Sequence, residues 1–240
     1  MNTNKENISK KEKEVAAKPI YSITPFTLLD YPDHTACILW FAGCNMRCGY
    51  CYNPEIVQGK GKVSYEEVLE FLRNRKNLLD AVVFSGGECT LHQDIPWMAH
   101  QIHELGMKVK IDTNGSRPHV LENLIDQKLV DYVALDFKAL PGAYQKITAS
   151  KLFDEFVETL DLLLYSKIRF EVRTTLHSTL ISKEELFNMA QFLHEKGYKG
   201  NYYLQHFVCE KGSISQLPES SKTFYPQKMI NFPVNTIWRN

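Results

Sequence analysis

Three thiols crowd one short stretch of the chain: Cys44, Cys48 and Cys51, in the run Gly43-Cys44-Asn45-Met46-Arg47-Cys48-Gly49-Tyr50-Cys51. Thiolates are soft ligands, suited to iron–sulfur clusters and to zinc. These three lie too close together to staple a loop as disulfides. Structural zinc sites usually show four ligands, often in two pairs, and no second pair follows here. On a four-iron cube, three thiolates leave one iron with an open position, which suits a bound cofactor. Gly43 and Gly49 let the backbone wrap closely around such a group, and backbone N–H groups there can reach its sulfurs. A zinc site completed by His34 or another histidine is the competing reading.

Further polar clusters recur downstream. Ser85-Gly86-Gly87-Glu88 pairs glycines with a carboxylate able to accept from an ammonium group. Asp112-Thr113-Asn114-Gly115 contains Asn-Gly, which by itself is a turn. In Asp136-Phe137-Lys138 the strand alternation puts the acid and the base on one side. Arg173 and Thr174 close another apolar run, and Gln205 and His206 close the last; a lone histidine is more often structural, so His206 stays outside the site.

The elements that must position these residues alternate. Strands are expected at Ala36–Phe41, Ala81–Ser85, Met107–Ile111, Asp131–Leu135, Ile168–Val172 and Asn201–Leu204. Helices fall between them. Ser64 with Glu67 and Ser182 with Glu185 read as capping boxes. The apolar stripes are Val68/Leu69/Leu72, Ile95/Met98/Ile102/Leu105 ending at Gly106, Val120/Leu121/Leu124/Ile125, Phe153/Phe156/Val157/Leu160/Leu164 and Leu186/Ala190/Leu193. Six strand–helix units argue an α/β fold with a parallel sheet, either open and doubly wound or a barrel of fewer than eight units. Every polar cluster falls at a strand's C-terminal end, where parallel α/β folds build their sites.

Composition bounds the rest. The chain has 240 residues, 44% hydrophobic, with 28 basic and 28 acidic side chains. A balance of zero gives no reason to expect nucleic acid or a membrane surface as partner. No apolar run approaches the ~18 residues of a membrane span, and the Lys/Glu-rich start lacks a secretory core. We expect a cytoplasmic protein with a charged, disordered tail at 1–19, a core at 20–207 and an irregular extension at 208–240 in which Cys209 is a core or surface thiol.

Taken together, the Cys-x-x-x-Cys-x-x-Cys spacing with Tyr50 before the last cysteine resembles the signature of the radical S-adenosylmethionine enzymes, and the likeness extends over residues 21 to 205. It implies a partial (β/α)6 TIM-like barrel. It also implies that Cys44, Cys48 and Cys51 are the catalytic and metal-binding residues, holding a 4Fe-4S cluster whose open iron is chelated by S-adenosylmethionine. The resemblance assigns cofactor contacts to Tyr50, to Gly86, Gly87 and Glu88, to Asp112 and Asn114, and to Asp136 and Lys138. Cys89 stands where proline is common and reads as a spacer. Thr27-Leu28-Leu29-Asp30-Tyr31-Pro32 and Cys51-Tyr52-Asn53-Pro54-Glu55 are similar to segments of the anaerobic ribonucleoside-triphosphate reductase activating proteins, close to the pyruvate formate-lyase activating enzymes. Asp33 and Tyr52 depart from that pattern, where glycine and histidine are frequent.

The activity so implied is reductive cleavage of S-adenosylmethionine to a 5′-deoxyadenosyl radical, which takes a hydrogen from a glycine of a partner enzyme, anaerobic ribonucleotide reductase. A low-potential donor such as flavodoxin or ferredoxin would supply the electron. Two alternatives remain: a small-molecule radical enzyme such as 7-carboxy-7-deazaguanine synthase, and a non-catalytic zinc or iron–sulfur binding module.

Overall fold

The computed structural model describes residues 18–51, 53–208, 213–215, 217–221, 224–225 and 231–239. Residues 1–17 of the expected tail, Tyr52 and Cys209 lie outside the described residues.

Six apolar runs form parallel strands, labelled β2 (Ala36–Phe41), β3 (Ala81–Gly86), β4 (Lys108–Thr113), β5 (Tyr132–Asp136), β6 (Arg169–Leu176) and β7 (Tyr202–His206). β1 (Ile20–Thr27) adds to β2 antiparallel, and β8 (Thr236–Arg239) adds to β7 parallel. The eight strands follow chain order across one sheet, with no pairing between β1 and β8 among the described residues. This is the expected partial barrel, extended by a strand on each edge. Five strands run further than their expected ends: β3 reaches Gly86 and β5 Asp136, Asp112 and Thr113 belong to β4, Arg173 and Thr174 lie inside β6, and His206 ends β7. Backbone pairing with a neighbour carries a strand past its last hydrophobic residue.

The helices are α1 (Pro54–Gln58), α2 (Tyr65–Arg73), α3 (Ile95–Glu104), α4 (Pro118–Asp126), α5 (Pro141–Thr148), α6 (Phe153–Tyr165) and α7 (Lys183–Glu195). Both capping boxes are present, Ser64 with Glu67 and Ser182 with Glu185. The helical stripes pack on the outer face of the sheet against Leu39, Phe41, Val82, Phe84, Val109 and Val133 in one large core. A smaller core fills the concave side, where Tyr31, Ala36, Ile38, Ala81, Val83 and Tyr132 meet. That division follows from strand alternation: successive residues point to opposite faces.

The extension expected to be irregular contributes a strand, β8, whose Thr236–Arg239 backbone pairs with the edge of β7. Asp33, where the resemblance expects glycine, holds the left-handed conformation that favours glycine, with φ 62°. None of the described helices is long and apolar enough to cross a membrane.

Candidate active site

The cysteine loop is anchored on four sides by backbone bonds. Gly43 N donates to Ile56 O of α1 at 2.9 Å, and Gly43 O accepts from Glu88 N at 2.9 Å. Arg47 N and Gly49 N donate to Thr148 O and Ile147 O at 2.8 and 3.1 Å, so the last turn of α5 grips the residues on either side of Cys48. Ile214 N and Ser215 N donate to Cys51 O and Gly49 O at 3.0 and 3.1 Å. Two glycines are required by this packing. A Cβ on Gly87 would stand 1.8 Å from Gly43 O, and one on Gly86, whose φ is +121°, would stand 2.3 Å from Phe41 N.

The loop walls a cavity of about 210 Å³ at the C-terminal ends of the strands. Cys44, Cys48, Cys51 and Tyr50 line it on one side, Gly86, Gly87 and Glu88 come from the end of β3, and Asp112 and Asn114 from β4. Asp136 and Lys138 from β5 complete it, so all eleven residues singled out in the sequence face one space. Asp30, Trp40, Thr175 and Gln205 line it too, and so does Arg173, which the sequence showed only as the end of a run.

Arg173 organises the far wall. Its guanidinium pairs with Asp112 at 3.2 Å and with Asp136, while Lys138 Nζ stands 2.9 Å from Asp136. Lys110 Nζ lies 2.8 Å from Asp112 Oδ1, without hydrogen-bond alignment, and donates to Asp30 O at 2.6 Å. Three cations thus alternate with two carboxylates across β4, β5 and β6. Burial would raise the carboxyl of Asp136, but Arg173 and Lys138 outweigh it and hold the group at about 2. Asp112 is also held low, Arg173 and Lys110 overcoming its burial. Lys138 stays charged, raised by Asp136 against its own burial.

Glu88 is held differently. It is 1% exposed and accepts from Thr90 N and Oγ1 at 3.2 and 2.6 Å, Thr113 Oγ1 at 2.8 Å and Asn114 N at 2.7 Å. Burial still wins over those bonds and pushes its carboxyl up. Glu88 therefore ties the end of β3 to the turn after β4.

The site fits an iron–sulfur group. The three thiols line one cavity. Three soft thiolates lining one cavity are a donor set that suits such a cluster. Burial pushes the Cys44 and Cys48 thiols up to about 12 and 11, so the thiolates need a metal's charge to persist. Tyr50 lines the cavity with its buried hydroxyl unpartnered by protein, an expense of ~1–3 kcal/mol that a bound acceptor removes.

Several other sequence expectations receive a position. His34 does not complete a zinc site. Its Nδ1 meets Pro32 O at 2.7 Å and its Nε2 meets Lys108 Nζ at 2.8 Å, at the opposite ends of the strands. Cys89 is fully buried and its Sγ points at Asp112 O, 3.5 Å away, so it is a spacer beneath the wall. His206 stacks on Trp238 of β8, with ring centroids 5.3 Å apart. Arg173 was hidden because its partners lie 61 and 37 positions earlier and meet it only through strand register.

A family profile described as the radical SAM superfamily matches residues 38–194. A relative from Methanocaldococcus jannaschii, which carries the provisional name glycyl-radical enzyme activating enzyme, is 32% identical over 182 residues, covering 72% of this chain and 74% of that one. The pyruvate formate-lyase-activating enzyme of Clostridium pasteurianum is 30% identical over 185 residues, covering 72% and 75%. Among solved structures, Streptococcus suis SuiB bound to S-adenosylmethionine superposes with a TM-score of 0.64 at 16% identity, covering 82% of this chain and 48% of that one. The chain thus spans about half of that larger protein, and the likeness is one of fold.

Proposed function

The chain belongs to the radical SAM superfamily and is an enzyme of that kind, and from that membership we propose that it activates a glycyl-radical enzyme. Cys44, Cys48 and Cys51 would hold a 4Fe-4S cluster, with Asn114 against the Cys44 sulfur, and Tyr50, Gly86, Gly87, Glu88, Asp112, Asp136 and Lys138 would line the S-adenosylmethionine site. The observation that carries this reading is the convergence of three thiols and a cation-rich wall on one cavity. The choice of an activase rests on the names of the two relatives that the chain matches over most of its length.

When bound, the two cofactors supply a 5′-deoxyadenosyl radical by one-electron reductive cleavage of the sulfonium. The chain's own part is orientation and exclusion. Lys138, with Asp136 occupying one of its three donors, keeps the others for a carboxylate in the cavity. The Asp112–Arg173–Asp136 bridge fixes that lysine's direction. Gly86 and Gly87 let the end of β3 approach without side chains, and the apolar floor of Ile38, Val83 and Tyr132 closes the barrel below.

The partner we propose is anaerobic ribonucleotide reductase, with a low-potential donor of the flavodoxin or ferredoxin kind and a cytoplasmic location. The core would comprise residues 20–207, with the rest as an extension. The similarity to Aquifex aeolicus 7-carboxy-7-deazaguanine synthase, 33% over 75 residues, covers 31% of this chain and favours only the shared motifs. The deciding experiment mixes the anaerobically reconstituted protein, dithionite and S-adenosylmethionine with a candidate reductase. A glycyl-radical doublet in electron paramagnetic resonance, with one 5′-deoxyadenosine per radical, is expected. Zinc in place of iron, or 5′-deoxyadenosine formed with a purine-like small molecule and never with protein, rejects it.

A further inference from the structure

Asn114 is 5% exposed, and its side-chain polar atoms are engaged within the protein. Its Oδ1 accepts from Ser116 N at 3.0 Å, which sets the amide's orientation. Its Nδ2 faces Asn45 Oδ1 at 3.0 Å and Cys44 Sγ at 3.9 Å, one hydrogen for each. Asn45 in turn donates to Ser116 Oγ at 2.7 Å. Below, Asn114 N donates to Glu88 Oε2 at 2.7 Å, so the residue is locked from both ends. The same Cys44 sulfur accepts from Met46 N at 3.4 Å.

From this geometry we infer that Asn114 serves the cluster rather than S-adenosylmethionine: it is a positioning residue whose amide donates to the sulfur of Cys44. The inference rests on the reading that Cys44 ligates a cluster. N–H donors on a ligating sulfur favour the more negative, reduced state and raise the potential. The type of residue matters as much as its place. The Asn114 side chain is neutral, so its Nδ2 turns a dipole and not a charge toward the sulfur. With both amide hydrogens directed at the cysteine loop, none remains for the cofactor.

The test compares wild type, Asn114→Asp and Asn114→Leu after anaerobic reconstitution. Aspartate keeps the shape and reverses the dipole; leucine keeps the bulk and removes the donor. Redox titration followed by electron paramagnetic resonance should show both variants with a lower midpoint. The ratio of reduced to oxidised cluster at a fixed donor potential should fall about tenfold, which is ~59 mV for a one-electron couple. Affinity for S-adenosylmethionine should be unchanged. An unmoved midpoint with weakened cofactor binding overturns the inference and returns Asn114 to the cofactor.

A second measurement needs no variant. Wild-type protein carrying 15N only at asparagine side-chain amides should show a weak nitrogen coupling to the reduced cluster in pulsed spectra, and its absence overturns the inference even if both variants fail to fold. A wild-type protein that binds no iron overturns the cluster reading, and this inference with it.

Discussion

Cys44 and Cys89 lie close to the same carboxylate, Glu88, and differ in what faces the sulfur. Cys44 opens on the cavity, whereas Cys89 is sealed below it against Asp112 O. Replacing Cys44, Cys48 or Cys51 by alanine should therefore abolish both iron uptake and cofactor cleavage. Cys89→Ala should keep four irons per chain and lose only about 1 kcal/mol of stability, since a small buried group is removed. Iron assays and denaturation of the four variants check this. Acid should expose the charged wall. The carboxyls of Asp136 and Asp112 are lower in the folded than in the unfolded chain. Their contribution is thus complete above the ordinary value of 3.8 and is lost as pH falls toward about 2. The Asp136 side chain keeps 23% of its exposure, so solvent reduces its share to roughly 1–2 kcal/mol. Glu88, raised by burial, has the opposite sign: it favours the fold below 4.5 and loses that as it ionises. Denaturant midpoints measured between pH 2 and 6 should fall steeply at the acid end, and Asp136→Asn should flatten that fall. The thiols and motif residues were legible because spacing within one loop survives in the sequence. Arg173 was not, because its role exists only when β4, β5 and β6 lie side by side.

At the scale of elements, local chemistry explains which pieces could be read early. α2 and α7 begin with capping boxes, and β2 to β5 are buried on both faces, as continuous apolar runs predict. Ser64→Ala should cost ~1 kcal/mol in chemical denaturation without changing iron content, because Ser64 caps α2 and is not among the residues that line the cavity. Gly87→Ala is the contrary case. Its Cβ meets the Gly43 carbonyl, a backbone atom that cannot swing aside, so the cysteine loop must move. Loss of the cluster in a folded protein is expected, seen as loss of the absorbance near 400 nm with helical circular dichroism retained. The elements that escaped notice share a weakness of signal. β1 carries Pro25 and mixed burial on an edge, β8 is four residues long, and α5 begins Pro-Gly, which reads as a turn. Yet α5 is the helix whose last carbonyls grip Cys48, so part of the site's support was invisible from composition.

At the scale of the whole molecule the sheet is open, and both edges need a reason to stay in place. β1 is held by β2 and by a bridge from Ile20 to Val63. β8 is held by its pairing with β7 and by a charged staple. Arg239 Nη1 and Nη2 reach Glu171 Oε1 and Oε2 at 3.0 and 3.1 Å, spanning β7 from the last strand to β6. Its guanidinium also stacks 3.4 Å above the Tyr203 ring, and Tyr132 Oη donates to the same carboxylate at 3.1 Å. The Glu171 side chain is 3% exposed, that of Arg239 32%, so losing the arginine strands a buried charge. Arg239→Ala should cost roughly 3 kcal/mol, a breakage penalty rather than the worth of the pair. Pairing Arg239→Met with Glu171→Leu should recover most of that cost, because two apolar side chains leave no charge behind. Thermal denaturation of the single and double variants measures the cycle, and a double variant no more stable than Arg239→Ala would rule the staple out. Glu171 also lies on the β6 face that carries Arg173 into the cavity, two residues away. Release of β8 should therefore disturb Arg173 before it disturbs the cysteine loop: Arg239→Ala should weaken S-adenosylmethionine binding several-fold while the iron content stays that of the wild type.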